Sequence, residues 1–122
     1  MARFRILTVD NEPSITTSLK YIFAGPRFEV SSVESGEAAL ARLEAADEPY
    51  DLVIVDQKMP NLTGLELVDE IRRRGIPGKI IVLSAHLSEE IRQAYERMDV
   101  HAILPKPFDL GALRSAVDQI AA

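Results

Sequence analysis

Cysteine and tryptophan are both absent from the 122 residues. The first absence excludes disulfides and thiol catalysis, though alone it says little about compartment. The second removes the usual intrinsic fluorescence probe. Positive charge is in deficit, with a net charge of −5, which argues against a nucleic-acid-binding surface on this domain. No apolar run approaches the ~20 residues needed to cross a bilayer. The stretch after Arg3 and Arg5 is apolar only from Ile6 to Val9, is interrupted by Thr8 and stops at Asp10. It is too short for a signal peptide, so the expectation is a cytoplasmic protein with no membrane contact.

What remains is ordinary for a soluble globular chain: 47% apolar and 27% charged residues. The length suits a single domain over 1–122 with one core. Apolar runs and helical patterns alternate throughout, with strands predicted at 4–9, 28–33, 51–55, 79–84 and 101–104. Val53-Ile54-Val55 and Ile80-Ile81-Val82-Leu83 are apolar without a break, as in parallel strands covered on both faces. Between them, apolar residues recur at helical spacing: Ile15, Leu19 and Ile22; Ala39, Leu40 and Leu43; Leu65, Val68 and Ile71; Ile91, Ala94, Tyr95 and Met98; Leu110, Leu113, Val117 and Ile120. Pro13 suits a first helical turn, Ser35 a helix cap, and Thr63-Gly64-Leu65-Glu66 a capping box. Arg72-Arg73-Arg74 before Gly75 suits the negative end of a helix. Five such repeats predict a doubly wound (βα)5 sandwich, an α/β fold around a five-stranded parallel sheet.

Ligands of such sheets bind outside the carboxyl ends of the strands. Four polar residues fall there: Asp10 after Ile6-Leu7-Thr8-Val9, Asp56 after Leu52-Val53-Ile54-Val55, Ser84 after Ile80-Ile81-Val82-Leu83, and Lys106 after Ala102-Ile103-Leu104-Pro105. Each alone has a plain explanation as a turn former, cap or solvated side chain. Together they suit phosphoryl transfer. Two carboxylates a few ångströms apart repel by roughly 1 to 4 kcal/mol, so a cation should join them, and Mg²⁺ suits oxygen ligands. An Asp beside a metal and a lysine can act as nucleophile toward a phosphoryl group, whose charge both cations would neutralise.

These residues resemble the receiver domain of two-component response regulators. The resemblance covers the whole chain. It rests on Ile6-Leu7-Thr8-Val9-Asp10-Asn11-Glu12-Pro13, on Tyr50-Asp51-Leu52-Val53-Ile54-Val55-Asp56 with Met59-Pro60 and Gly64-Leu65-Glu66-Leu67, on Ile81-Val82-Leu83-Ser84-Ala85, and on Lys106-Pro107-Phe108. It implies a flavodoxin-like sheet of order 2-1-3-4-5. It implies Asp56 as acceptor of a phosphoryl group from a histidine kinase or histidine phosphotransfer protein. Asp10, Asn11, Asp56 and the backbone carbonyl of Lys58 would hold Mg²⁺, with Mn²⁺ as a substitute. Ser84 would be the switch hydroxyl, Lys106 the phosphate contact, Pro107 a cis proline, and Ala85 the small residue that keeps the site open. Lys58 and His86 occupy positions that tune loss of the phosphoryl group. The first helix and the Pro107-Phe108 loop would receive the kinase. The output would be a downstream protein, an output domain outside this chain, or a homodimer through helix 4, strand 5 and helix 5.

Three departures from the family pattern bear on function. Asn11 stands where an acid commonly binds the metal, so weaker metal binding is expected. Ile103 stands where an inward-turning Tyr or Phe is common, which leaves the route to the helix 4–strand 5–helix 5 face open. Pro105 removes a backbone donor, which is tolerable at a sheet edge. The first two fit an alternative, a receiver-like binding module that works without phosphorylation. A flavodoxin-like electron carrier is excluded because Asp10-Asn11-Glu12-Pro13 would repel the phosphate of FMN. A phosphatase with an aspartyl nucleophile would want a second acid two residues later, where this chain has Lys58. The expectation is therefore a signalling phosphoacceptor and not an enzyme acting on an external substrate.

Overall fold

The computed structural model describes residues 3–121. Met1, Ala2 and Ala122, the ends of the domain expected over 1–122, lie outside the described residues. Strands β1 (Phe4–Val9), β2 (Phe28–Val33), β3 (Leu52–Asp56), β4 (Lys79–Ser84) and β5 (Ala102–Pro105) alternate with helices α1 (Pro13–Ile22), α2 (Gly36–Ala45), α3 (Gly64–Arg73), α4 (Glu89–Arg97) and α5 (Leu110–Ala121). All neighbouring strands are parallel, in the order β2-β1-β3-β4-β5.

Two strands begin one residue later than the apolar patterns suggest. Asp51 precedes β3, where its carboxylate accepts from the Arg5 backbone N–H at 2.8 Å. His101 precedes β5 while its N–H donates to Ile80 at 2.8 Å. Asp56 itself is the last residue of β3, opposite Leu83.

The period-two alternation of the strands divides the core between two faces. Leu7, Val9, Val53, Val55, Ile80 and Val82 pack with Ala39, Leu43, Leu67, Val68, Ile71 and Tyr95 from α2, α3 and α4. Ile6, Leu52, Ile54, Ile81 and Leu83 pack with Leu19, Leu113, Ala116 and Val117 from α1 and α5. Each fully buried aliphatic side chain contributes roughly 1.5–3 kcal/mol relative to exposure. These two layers fix the strand ends relative to one another.

The helix starts follow the local chemistry. Pro13 opens α1, Ser35 Oγ caps α2, and Thr63 and Glu66 form the reciprocal capping box of α3. Two expectations need correction. Leu110 does not share the buried stripe of α5; as the first residue of the helix it is 44% exposed. Arg72 does not simply complement its own helix end. Its guanidinium donates to the carbonyls of Met98, Gly78 and Asp99 at 2.9, 3.2 and 2.9 Å, tying the loops before β4 and β5. Arg73 pairs with Asp69 and Glu70, and Arg74 with Glu44 and Glu70.

Candidate phosphoacceptor site

Strand order assembles the site. β1 lies directly beside β3, so Asp10, just past Val9, stands next to Asp56 at the end of β3. Lys106 follows β5, two strands from β3. Its backbone N–H donates to the Ser84 carbonyl at 2.9 Å, and its long stem carries the ammonium past the end of β4. The Lys106–Pro107 peptide bond is cis.

The Lys106 Nζ meets three carboxylates: Asp10 Oδ2 at 3.0 Å, Asp56 Oδ1 at 3.0 Å and Glu12 Oε1 at 3.2 Å. Asp10 and Asp56 are only 2% and 3% exposed, whereas the Glu12 side chain is 56% exposed. One carboxylate oxygen from each of these acids lies within 4.8 Å of the others. Three negative charges against one positive charge leave the cluster anionic, and at that separation each like-charge pair repels by about 1 to 3.5 kcal/mol.

Backbone donors hold part of the cluster. Asp10 Oδ1 accepts from the Glu12 N–H at 2.9 Å, and Asp56 Oδ1 from the Lys58 N–H at a long 3.4 Å. Asp56 Oδ2 is buried with no hydrogen-bond partner among the described residues. A buried carboxylate oxygen left bare is costly, and a cation ligated there would supply what it lacks. The all-oxygen donor set fits a hard divalent ion. Asp10, Glu12 and Asp56 thus form a group that could hold a metal ion.

Burial pushes the Asp56 carboxyl above the usual carboxylate range. The hydrogen bond from Lys106 opposes that shift, and the Asp10 charge adds to it. Burial acts to lower the Lys106 ammonium, but its bonds to Asp10 and Asp56 prevail and raise it. Lys106 is therefore a fixed positive charge.

The cluster opens into a pocket of about 600 Å³ lined by Asn11, Glu12, Asp56, Lys58, Met59, Pro60, Ser84, Ala85, His86 and Lys106. Lys58, Ala85 and His86 are exposed at its rim. The Ser84 hydroxyl donates to the His86 carbonyl at 2.7 Å, so it is engaged with the loop after β4. Ile103 lies outside this pocket, partly buried beside the α2–α4 layer, where it lines a smaller cavity with Leu87 and Arg92.

The model of the response regulator receiver domain matches residues 6–118. The chain belongs to the response regulator receiver family. It is a receiver domain of two-component signalling. The response regulator MprA of Mycolicibacterium vanbaalenii is 37% identical over 109 residues, 89% of this chain and 46% of that protein. A putative transcriptional regulator of Haloferax volcanii is 31% identical over 94% of this chain and 19% of its own length. This receiver domain thus spans less than half of either relative. Among solved structures, the response regulator TrrA of Thermotoga maritima, determined in complex with Mg²⁺ and BeF, is 34% identical with a TM-score of 0.81, covering 95% of this chain and 97% of that one. Vibrio cholerae CheY4 is 27% identical with a TM-score of 0.86, covering 98% and 99%.

The receiver's 2-1-3-4-5 sheet brings together every residue expected at the strand ends. Glu12 is a new member of the cluster, and Tyr95 is a new neighbour in the core. Glu12 was legible as an acid two residues past Asp10 and immediately before a helix, where negative charge is favoured. Tyr95, taken from its spacing as a core residue, is fully buried and also donates its hydroxyl to Gln57 Oε1, beside Asp56.

Proposed function

We infer that this receiver accepts a phosphoryl group on Asp56 from the phosphohistidine of a histidine kinase or phosphotransfer protein. The observation that carries the reading is the Asp56 carboxylate: buried, raised in pKa by that burial, 3.0 Å from a fixed ammonium, and bare at Oδ2. A carboxylate oxygen of Asp56 forms the new O–P bond as the N–P bond of the donor breaks. The bonding pair returns to the imidazole nitrogen, which then takes a proton.

Asp10, Glu12 and Asp56, with Asn11 and the Lys58 carbonyl, would hold Mg²⁺. That ion would neutralise charge on the phosphoryl oxygens. Lys106, 3.0 Å from Asp56 Oδ1, would do the same and favours the ionised form of that carboxylate. Ser84, released from the His86 carbonyl, can donate to a phosphoryl oxygen once one is attached. Lys58 and His86 at the rim would hinder water and lengthen the phosphorylated state, while Ala85 leaves room for entry. The outcome is a population shift at a protein-binding face, not turnover of an external substrate.

Intact mass after exposure to acetyl phosphate, across a Mg²⁺ series, tests this. One phosphoryl group on the wild type and none on Asp56→Asn is the expected result. No addition to the wild type at any Mg²⁺, with acetyl phosphate or with a phosphohistidine donor protein, refutes it in favour of a phosphorylation-independent binding module.

A further inference from the structure

Gln57 continues the face of β3 that carries Val53 and Val55, the face covered by α2, α3 and α4. Its side chain therefore points away from the acidic cluster and toward α4, although it directly follows the phosphoacceptor. There Gln57 Oε1 accepts the hydrogen bond from the Tyr95 hydroxyl. Tyr95 is the one fully buried residue of α4, and a hydroxyl at that depth needs a partner.

The Gln57 backbone is fixed as firmly. Its N–H donates to Leu83 at 3.0 Å, and its carbonyl accepts from Gly64 at 2.9 Å. Gly64 makes the junction possible. A Cβ there would lie 2.6 Å from the Asp56 carbonyl oxygen, 2.8 Å from Gln57 Cα and 2.9 Å from the Tyr95 hydroxyl. Asp56, Gln57, Gly64 and Tyr95 thus meet at one point with no slack. The Tyr95 hydroxyl also feels the Asp56 charge: burial first, then that charge, push its pKa well above the tyrosine range, so it remains a donor.

We propose that Tyr95, through its hydrogen bond to Gln57, passes the phosphorylation state of Asp56 to α4, in place of an inward-turning aromatic at Ile103. This rests on Asp56 being the phosphoacceptor. Any displacement of the β3 end pulls on Gln57, and the side-chain bond delivers that pull to the middle of α4. Ile103 offers no polar group to do so from β5.

The test is hydrogen exchange of α4 amides with and without Mg²⁺ and beryllofluoride, in the wild type, Tyr95→Phe and Gln57→Leu. Phosphoryl uptake from acetyl phosphate is measured by mass in parallel. Tyr95→Phe keeps the ring in the core and removes only the hydroxyl. The expected result is at least a threefold change in α4 exchange for the wild type, less than half of that response in either variant, and no further loss in the double variant. Phosphoryl uptake stays within about threefold, which a general structural defect would not allow. Wild-type-sized α4 responses in variants that take up the phosphoryl group overturn this inference alone. Responses lost additively in the double variant also overturn it, because the two residues then act separately. No phosphoryl uptake by the wild type, from acetyl phosphate or a phosphohistidine protein, overturns the functional reading and this inference with it.

Discussion

Asp56→Asn should make this receiver more stable at neutral pH without divalent metal, although it removes one side of an ion pair. Lys106 at 3.0 Å returns about 5.5 kcal/mol to the charged Asp56 at an effective dielectric constant of ~20. Asp10, no farther than 4.8 Å, takes back at least about 3.5 kcal/mol. Glu12, exposed and screened, takes back about 1 kcal/mol. Burial of the carboxylate, several kcal/mol per ion even after relaxation, then tips the balance. The raised pKa of Asp56 carries the same sign. A gain of about 1–2 kcal/mol follows, or roughly 4–10 °C in Tm for a domain of this size.

The pH dependence fixes the mechanism. Because the folded-state pKa of Asp56 is raised, the folded wild type holds its proton more tightly than the unfolded chain. The contribution of Asp56 to stability is therefore fully present below the unfolded pKa of about 3.9 and is lost as pH rises through the folded value. The Asn variant has no such loss, so the gap should be full at neutral pH and close in acid. Thermal and urea unfolding followed by far-UV circular dichroism, in chelator at several pH values, measure it. Adding Mg²⁺ should reverse part of the gap, since tenfold excess over Kd adds about 1.4 kcal/mol to whichever form binds. An Asn variant less stable than the wild type at neutral pH would refute the charge balance. So would a gap that does not change between neutral and acid pH.

Lys106→Met should leave three acids without their counter-charge, lowering stability by about 3 kcal/mol and slowing phosphoryl uptake at least tenfold; a chelator-sensitive rescue of the unfolding midpoint by Mg²⁺ checks the cause. Gly64→Ala should destabilise by about 1–3 kcal/mol by overpacking and slow uptake as well, because the added Cβ strikes the Asp56 and Gln57 backbone; urea unfolding and the acetyl phosphate mass assay read the two effects. Leu113→Ala should cost about 2–5 kcal/mol, whereas Leu110→Ala, at a position 44% exposed, should stay within about 0.5 kcal/mol; paired urea curves decide. Glu12→Gln should raise the Mg²⁺ midpoint for phosphoryl uptake more than Asn11→Ala does, read by mass across a Mg²⁺ series.

The fold was legible because its information is local. Five apolar runs, the first three followed by helix-start chemistry at Pro13, Ser35 and Thr63, leave few ways to wind a parallel sheet. The strand-end residues were legible because topology alone determines where they go. Boundaries at Asp51 and His101 were not, since they depend on pairing with Arg5 and Ile80 across the sheet. Arg72 illustrates the same limit. A guanidinium at a helix end can cap that helix or reach three foreign carbonyls, and only the positions of Met98, Gly78 and Asp99 decide. Tyr95 was placed by its spacing, but its hydroxyl's partner lies on another element and leaves no periodic trace.

Glu12 changes what Asn11 means. Taken alone, an amide at a metal-facing position subtracts one charge and weakens the site. The fold returns that charge from the next residue. Glu12 sits at the N-cap of α1, the Asp10 carboxylate accepts from its backbone N–H, and its side chain turns back to Lys106. The acidic count around Lys106 is therefore three, with Asn11 at the rim. Being exposed, Glu12 keeps the third acid of the cluster in contact with solvent, where its repulsion of Asp10 and Asp56 is screened. Asn11 beside an exposed Glu12 thus leaves Asp10 and Asp56 as the two desolvated carboxylates of the cluster.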